Sequence, residues 1–211
     1  MVNVVNASSL TLREVQQRFQ LGCQLETDLS RFLTLSPLTE AQVARVAGIR
    51  QSWGRYYSNG RVTEGEVKIL ALSPLLIEAG YLAAPELRLS LEERINEVEI
   101  EDGDRVIRGR MDMIVCRDLG DRVRLCVLII EAKNSAVNVM EGLPQLLVYM
   151  QSFLEGQGVV WGLVTNGGDY VFVRLERGLF RLFRGLGLMF EGDGERLLEV
   201  LIALRRLEEG E

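Results

Sequence analysis

Asp112, Glu131 and Lys133 combine two carboxylates with one amine in a spacing that could do chemistry. Glu131-Ala132-Lys133 closes the apolar run Leu125-Cys126-Val127-Leu128-Ile129-Ile130. Six successive apolar residues without helical spacing predict a strand buried on both faces of an α/β sheet. Side chains alternate along a strand, so Glu131 and Lys133 share a face, with Ala132 opposite and its backbone carbonyl beside them. Asp112 falls on the strand predicted just before, and a hairpin would bring it close to Glu131. Two converging carboxylates and one carbonyl form the all-oxygen ligand set that Mg2+ prefers, with water in the remaining positions. Lys133 could orient or help deprotonate an attacking water and offset phosphate charge. The chemistry such a set supports is metal-assisted hydrolysis of a phosphodiester. Each member also has a plainer reading: Asp112 as a partner of Arg110 or Arg108, and Glu131 and Lys133 as a solvated strand end.

The elements that must position these residues can be read from caps and periodicity. Thr11 with Glu14 predicts a capped helix carrying Leu12, Val15 and Phe19, and Thr39 with Gln42 predicts a second running toward Trp53. Residues 1–60 are therefore expected to be a helical N-terminal extension, ending at Ser58-Asn59-Gly60. Trp53, Tyr56 and Tyr57 beside Arg50 and Arg55 are read as helix-to-core packing in preference to a base-stacking platform. Thr63 with Glu66 starts a third helix, which Pro74 kinks or restarts and Gly80 closes. A strand is expected within 87–100, a turn at Asp102-Gly103-Asp104, one strand over Val106–Cys116, and a second turn at 118–121. A helix follows from Leu143, with Pro144 tolerated in its first turn. Val159–Thr165 and Tyr170–Leu175 form a hairpin about Asn166-Gly167-Gly168-Asp169, and Phe180, Leu182 and Phe183 extend the sheet. Residues 61–190 make the core domain, and 191–211 a final helix with an acidic tail.

Composition narrows the chemistry further. The chain of 211 residues contains no histidine, which excludes Ser-His-Asp and Cys-His nucleophile arrangements and any zinc site built on imidazole. Cys23, Cys116 and Cys126 show no metal-ligand spacing and are read as small buried apolar residues, with Cys116 and Cys126 candidates for neighbouring strands. The net charge of −6 argues mildly against a nucleic-acid partner, but its distribution weakens that objection. Residues 61–104 hold 4 basic and 11 acidic side chains, whereas 105–135, around the candidate residues, hold 7 and 4. No stretch suggests a membrane span or secretory signal, so a cytoplasmic location with no membrane partner is expected. Arg174, Arg177, Arg181 and Arg184 read equally as a phosphate grip or a solvated face.

Gly109-Arg110-Met111-Asp112 followed by Glu131-Ala132-Lys133 resembles the PD-(D/E)XK nuclease superfamily. Gln145-Leu146-Leu147-Val148-Tyr149 is similar to the QxxxY motif of a subset that includes type I restriction-enzyme subunits. Beyond these motifs, the whole chain resembles cyanobacterial restriction endonuclease R-subunit-like proteins, through Thr11-Leu12-Arg13, Leu72-Ser73-Pro74-Leu75-Leu76 and Gly162 to Gly167. The resemblance implies an α/β fold with a restriction-endonuclease-like α-β-β-β-α-β core and a mixed sheet. It implies catalytic roles for Asp112, Glu131, Lys133, Gln145 and Tyr149, and a further acid from the helix before the hairpin. Glu64 is preferred for that acid because Glu66 sits where a capping carboxylate belongs. Asp112, Glu131 and the Ala132 carbonyl, with Glu64 as a candidate fourth, would bind Mg2+, for which Mn2+ could substitute. The implied activity is that of a metal-dependent endonuclease on DNA, acting alone, as a homodimer or with a separate protein. The alternative is a catalytically inactive nuclease-fold protein that binds nucleic acid or a protein partner.

Overall fold

The computed structural model describes residues 3–94, 98–99, 105–118 and 124–207. The chain opens with β1 (Asn3–Asn6), α1 (Leu12–Arg18), β2 (Gly22–Glu26) and α2 (Glu40–Ser58). Next come α3 (Glu64–Val67), a π-helical turn over Lys68–Leu72, and α4 (Ser73–Glu78). Then follow β3 (Leu87–Arg94), β4 (Val98–Glu99), β5 (Arg105–Arg108), β6 (Arg110–Asp118), β7 (Arg124–Ala132) and α5 (Leu143–Gln157). The last elements are β8 (Val159–Thr165), β9 (Asp169–Glu176), β10 (Leu179–Phe183), β11 (Leu186–Gly187) and α6 (Asp193–Arg205).

The fold is mixed α/β, built on an eight-stranded sheet in the order β2-β10-β9-β8-β7-β6-β3, with β11 on β9. Strand β7 lies near its middle, antiparallel to β6 and parallel to β8. Cys126 to Ala132 are all buried, as an unbroken apolar run requires when both faces are covered. Helix α5 covers one face with Leu146, Leu147 and Met150, packed on Ile114, Ile129 and Val164. Helices α2, α4 and α6 cover the other through Trp53, Leu75, Leu76, Leu197 and Leu201, packed on Met113, Leu128 and Ile130. The three predicted capping boxes, Thr11–Glu14, Thr39–Gln42 and Thr63–Glu66, all form.

Two expectations need correction. The N-terminal segment is not purely helical, because β1 pairs in parallel with β5 and β2 pairs in parallel with β10. Residues 22–25 are exposed at the sheet's edge, so no burial alternation marks them as a strand. The strand expected over Val106–Cys116 is in fact two: β5 joins β1 and β4 in a separate three-stranded sheet, and β6 enters the main sheet. The break is at Gly109, where a Cβ would come within 2.7 Å of Tyr149 Cε1 and 2.9 Å of its hydroxyl. Pro74 sits where the α-helix restarts, one of the two outcomes expected of it. It lies in the first turn of α4, and the π turn precedes it, with Ser73 Oγ donating to the Lys68 carbonyl at 2.6 Å. The turn predicted at 102–104, and all of the one at 118–121 beyond Asp118, lie outside the described residues.

Candidate active site

The β6–β7 ladder ends with Met113 opposite Ile130, so one step further Asp112 stands opposite Glu131. Directly opposed side chains share a face and lie about 5 Å apart at Cβ. Asp112 Oδ2 accepts a hydrogen bond from the Ala132 N–H at 2.8 Å. In an extended strand a residue's N–H and C=O leave by the same edge, so the Ala132 carbonyl also faces Asp112. On the other edge Lys133 N–H donates to the Thr165 carbonyl at 2.7 Å, anchoring the strand end to β8.

Glu131 is 1% exposed. Its Oε1 accepts from Lys133 Nζ at 2.6 Å, while Oε2 is buried without a hydrogen-bond partner. Burial first, then the charge of Asp112, push its pKa up to about 8 against the lowering pull of Lys133. Lys133 Nζ also donates to Gln145 Oε1 at 3.3 Å. Gln145 Nε2 donates to the Tyr149 hydroxyl at 2.6 Å, and that hydroxyl donates to the Arg110 carbonyl at 2.9 Å. Gln145 and Tyr149, one turn apart on α5, thus connect the base of β6 to the ammonium of Lys133. Burial, reinforced by the charge of Glu131, holds the Tyr149 phenol above its ordinary pKa, so it stays a donor at neutral pH.

The helix carboxylates divide as their positions dictate. Glu66 caps α3, accepting from the Thr63 N–H at 2.8 Å and its hydroxyl at 2.7 Å. Glu64 turns toward the strand ends, where its Oε1 accepts from Lys68 Nζ at 3.0 Å. Lys68 Nζ in turn donates to Asp112 Oδ1 at 2.7 Å, so this lysine stands between the two acids. Burial works against the Lys68 charge, but the hydrogen bond and charge of Asp112, together with Glu64, outweigh it and raise its pKa. Sequence reasoning assigned Lys68 no role in the site, although its spacing of four from Glu64 was the available signal. Gly142, at the N-terminus of α5, was also missed. A Cβ there would meet Val164, would come within 3.1 Å of Glu131 Cγ, and would lie 3.4 Å from Lys133 Cε.

Asp112 and Glu131 share a face, and the unpartnered Oε2 of Glu131 is the feature that a bound cation would satisfy. Among the described residues no cluster of three or more His, Cys, Asp or Glu side chains is arranged to hold a metal. Glu64 accordingly reaches the group through Lys68.

The arginines of the β9–β10 hairpin are not gathered at this site. Arg174 and Arg181 pair with Glu176, Arg181 also approaches Glu26 at 3.8 Å, and Arg184 pairs with Asp193 at 2.7 Å. Trp53 is fully buried, whereas Tyr56 and Tyr57 are about half exposed, with Tyr57 stacked on Trp53 at 6.1 Å. Cys116 and Cys126 are buried on paired positions of β6 and β7, whereas Cys23, expected to be buried, is exposed on β2.

No protein-family model matches the chain. No curated protein matches it in sequence. Among solved structures, it is similar to a fragment of a putative HsdR subunit of a type I restriction enzyme from Vibrio vulnificus YJ016. That match has 20% identity and a TM-score of 0.39, and covers 58% of this chain and 23% of the other. The chain therefore spans about a quarter of that fragment's length. Among the described residues, no helix is long and apolar enough to cross a membrane.

Proposed function

We propose that this protein is a metal-dependent nuclease of the PD-(D/E)XK type that hydrolyses phosphodiesters of DNA. The observation that carries this reading is Glu131: a carboxylate 1% exposed, with one oxygen held by Lys133 and the other unpartnered, opposite Asp112. A buried carboxylate oxygen without a donor is costly unless a cation or ligand completes it. Asp112, Glu131 and the Ala132 carbonyl would hold Mg2+ or Mn2+, which when bound would acidify water and neutralise phosphate charge. Lys133 holds the ammonium over the Glu131 carboxylate, where it orients the attacking water and offsets charge on the phosphate. Gln145 and Tyr149 fix that ammonium by the hydrogen-bonded chain running to the Arg110 carbonyl.

The competing reading is a nuclease-fold protein that binds nucleic acid without cutting it. It is favoured by Asp112, both of whose oxygens are already engaged, by Lys68 and by the Ala132 N–H. Incubation of duplex, branched and single-stranded DNA with wild type and Lys133→Ala, with Mg2+, Mn2+ or chelator, separates the two. Metal-dependent cleavage that Lys133→Ala abolishes supports the enzyme. Cleavage untouched by that substitution, or no cleavage of any substrate, rejects it.

A further inference from the structure

Lys68 stands at the position where a cation bound to Asp112 would have to compete. Asp112 Oδ2 accepts from the Ala132 N–H of the neighbouring strand, and Oδ1, the oxygen not tied to the sheet, is the atom that Lys68 Nζ holds at 2.7 Å. The lysine is largely sequestered, 15% exposed, and has a second carboxylate partner in Glu64 at 3.0 Å. That partner is four residues earlier on the same helical face, the better order for an acid–base pair. The chain is wound as a π turn from Lys68 to Leu72, a rare insertion that recurs at functional sites.

We propose that Lys68 is a tethered counter-cation: without metal it holds Asp112 Oδ1, and when a divalent ion takes that oxygen the ammonium withdraws onto Glu64. The inference rests on the metal-site reading above and adds a positioning role for Lys68 and Glu64 in it. In the resting site the ammonium offsets the charges of Asp112 and Glu64 together. In the loaded site the divalent ion offsets Asp112 and Glu131, while Lys68 and Glu64 form a neutral pair beside them. Two cations sharing one carboxylate oxygen repel, so the Lys68–Asp112 contact and metal binding weaken one another. Glu64 thereby acts without ligating the ion.

Mn2+ binding, read by electron paramagnetic resonance without nucleic acid, tests this on the full chain. Lys68→Met and Lys68→Gln are expected to bind Mn2+ about 10-fold tighter than wild type, an ordinary size for coupling between two ligands. Asp112→Asn should abolish binding. Unchanged or weaker binding in both folded Lys68 variants, with binding still lost in Asp112→Asn, overturns the role of Lys68 and leaves the metal site standing. Absence of Mn2+ binding in wild type and in both Lys68 variants overturns the metal site and this proposal with it. A crystal structure of wild type grown with Mn2+ needs no substitution. Lys68 Nζ bonded to Glu64 alone supports the exchange, and an intact hydrogen bond to Asp112 beside the bound ion refutes it.

Discussion

Gln145 and Tyr149 are joined by a 2.6 Å hydrogen bond across one turn of α5, and through it the Arg110 carbonyl and the Lys133 ammonium belong to one chain. The phenol both accepts from Gln145 and donates to Arg110, so Tyr149→Phe leaves two partners unsatisfied at once. Loss of a buried partner costs about 1–3 kcal/mol. Equilibrium denaturation of Tyr149→Phe should show a loss in that range. Because Gln145 is then free to rotate away from Lys133, the proposed nuclease activity should also slow by roughly 10- to 100-fold, the usual cost of removing an outer support where a metal is bound. A Tyr149→Phe protein of reduced stability and full activity would confine the chain to a structural role.

Glu131 gives the metal-free protein a pH dependence of definite sign. Its pKa is pushed up to about 8 in the folded chain, from 4.5 for the free group. Between these values the folded state keeps a proton that the unfolded state has lost. The stabilisation is fully present below pH 4.5 and is lost as pH rises toward and through 8. Thermal unfolding in the presence of chelator should therefore show a melting temperature that falls over this window. Glu131→Gln, which stays neutral, should flatten the slope and melt higher than wild type at pH 8. An unchanged slope in that variant would mean that another group dominates the window.

The parts of this site that were legible in the sequence depend on short-range rules. Asp112 meets Glu131 because consecutive strands form a hairpin, and Gln145 meets Tyr149 because residues four apart share a helix face. The capping pattern Thr63–Glu66 separates Glu66 from Glu64 by the same kind of local argument. The features that were not legible depend on distant partners. Strand β2 is exposed and gains its identity only from β10, far along the chain. Gly109 breaks a strand because Tyr149, on a helix far along the chain, needs the space. Lys68 carries four-residue spacing to Glu64 like many solvated helix pairs, and only the packing of the helix across β6 turns it toward Asp112.

Gly142, the residue before α5, lies against the site. A methyl group there would press on Val164 and lie 3.1 Å from Glu131 Cγ. Gly142→Ala should cost about 1–3 kcal/mol, as overpacking generally does, measured by the denaturation midpoint. It should also displace Glu131 and Lys133, so Mn2+ affinity should fall with stability. A variant as stable as wild type would show that the N-terminus of α5 gives way without strain.

The arginines of β9 and β10 allow a prediction in the opposite direction. Arg174 lies over the Phe32 ring at 5.1 Å and Arg181 over it at 5.3 Å, while both pair with Glu176. Arg174 is only 13% and Arg181 18% exposed, so their charges are spent inside the sheet edge rather than offered to phosphate. Removing either leaves Glu176 with one partner fewer and uncovers an aromatic face, a loss of about 1–2 kcal/mol. Arg174→Ala and Arg181→Ala should therefore lower stability by that amount. DNA affinity, measured by anisotropy at fixed salt, should stay within about twofold of wild type, since a lost phosphate contact would also reduce the salt slope by about 1. A reduced salt slope in either variant would return these residues to the nucleic-acid surface.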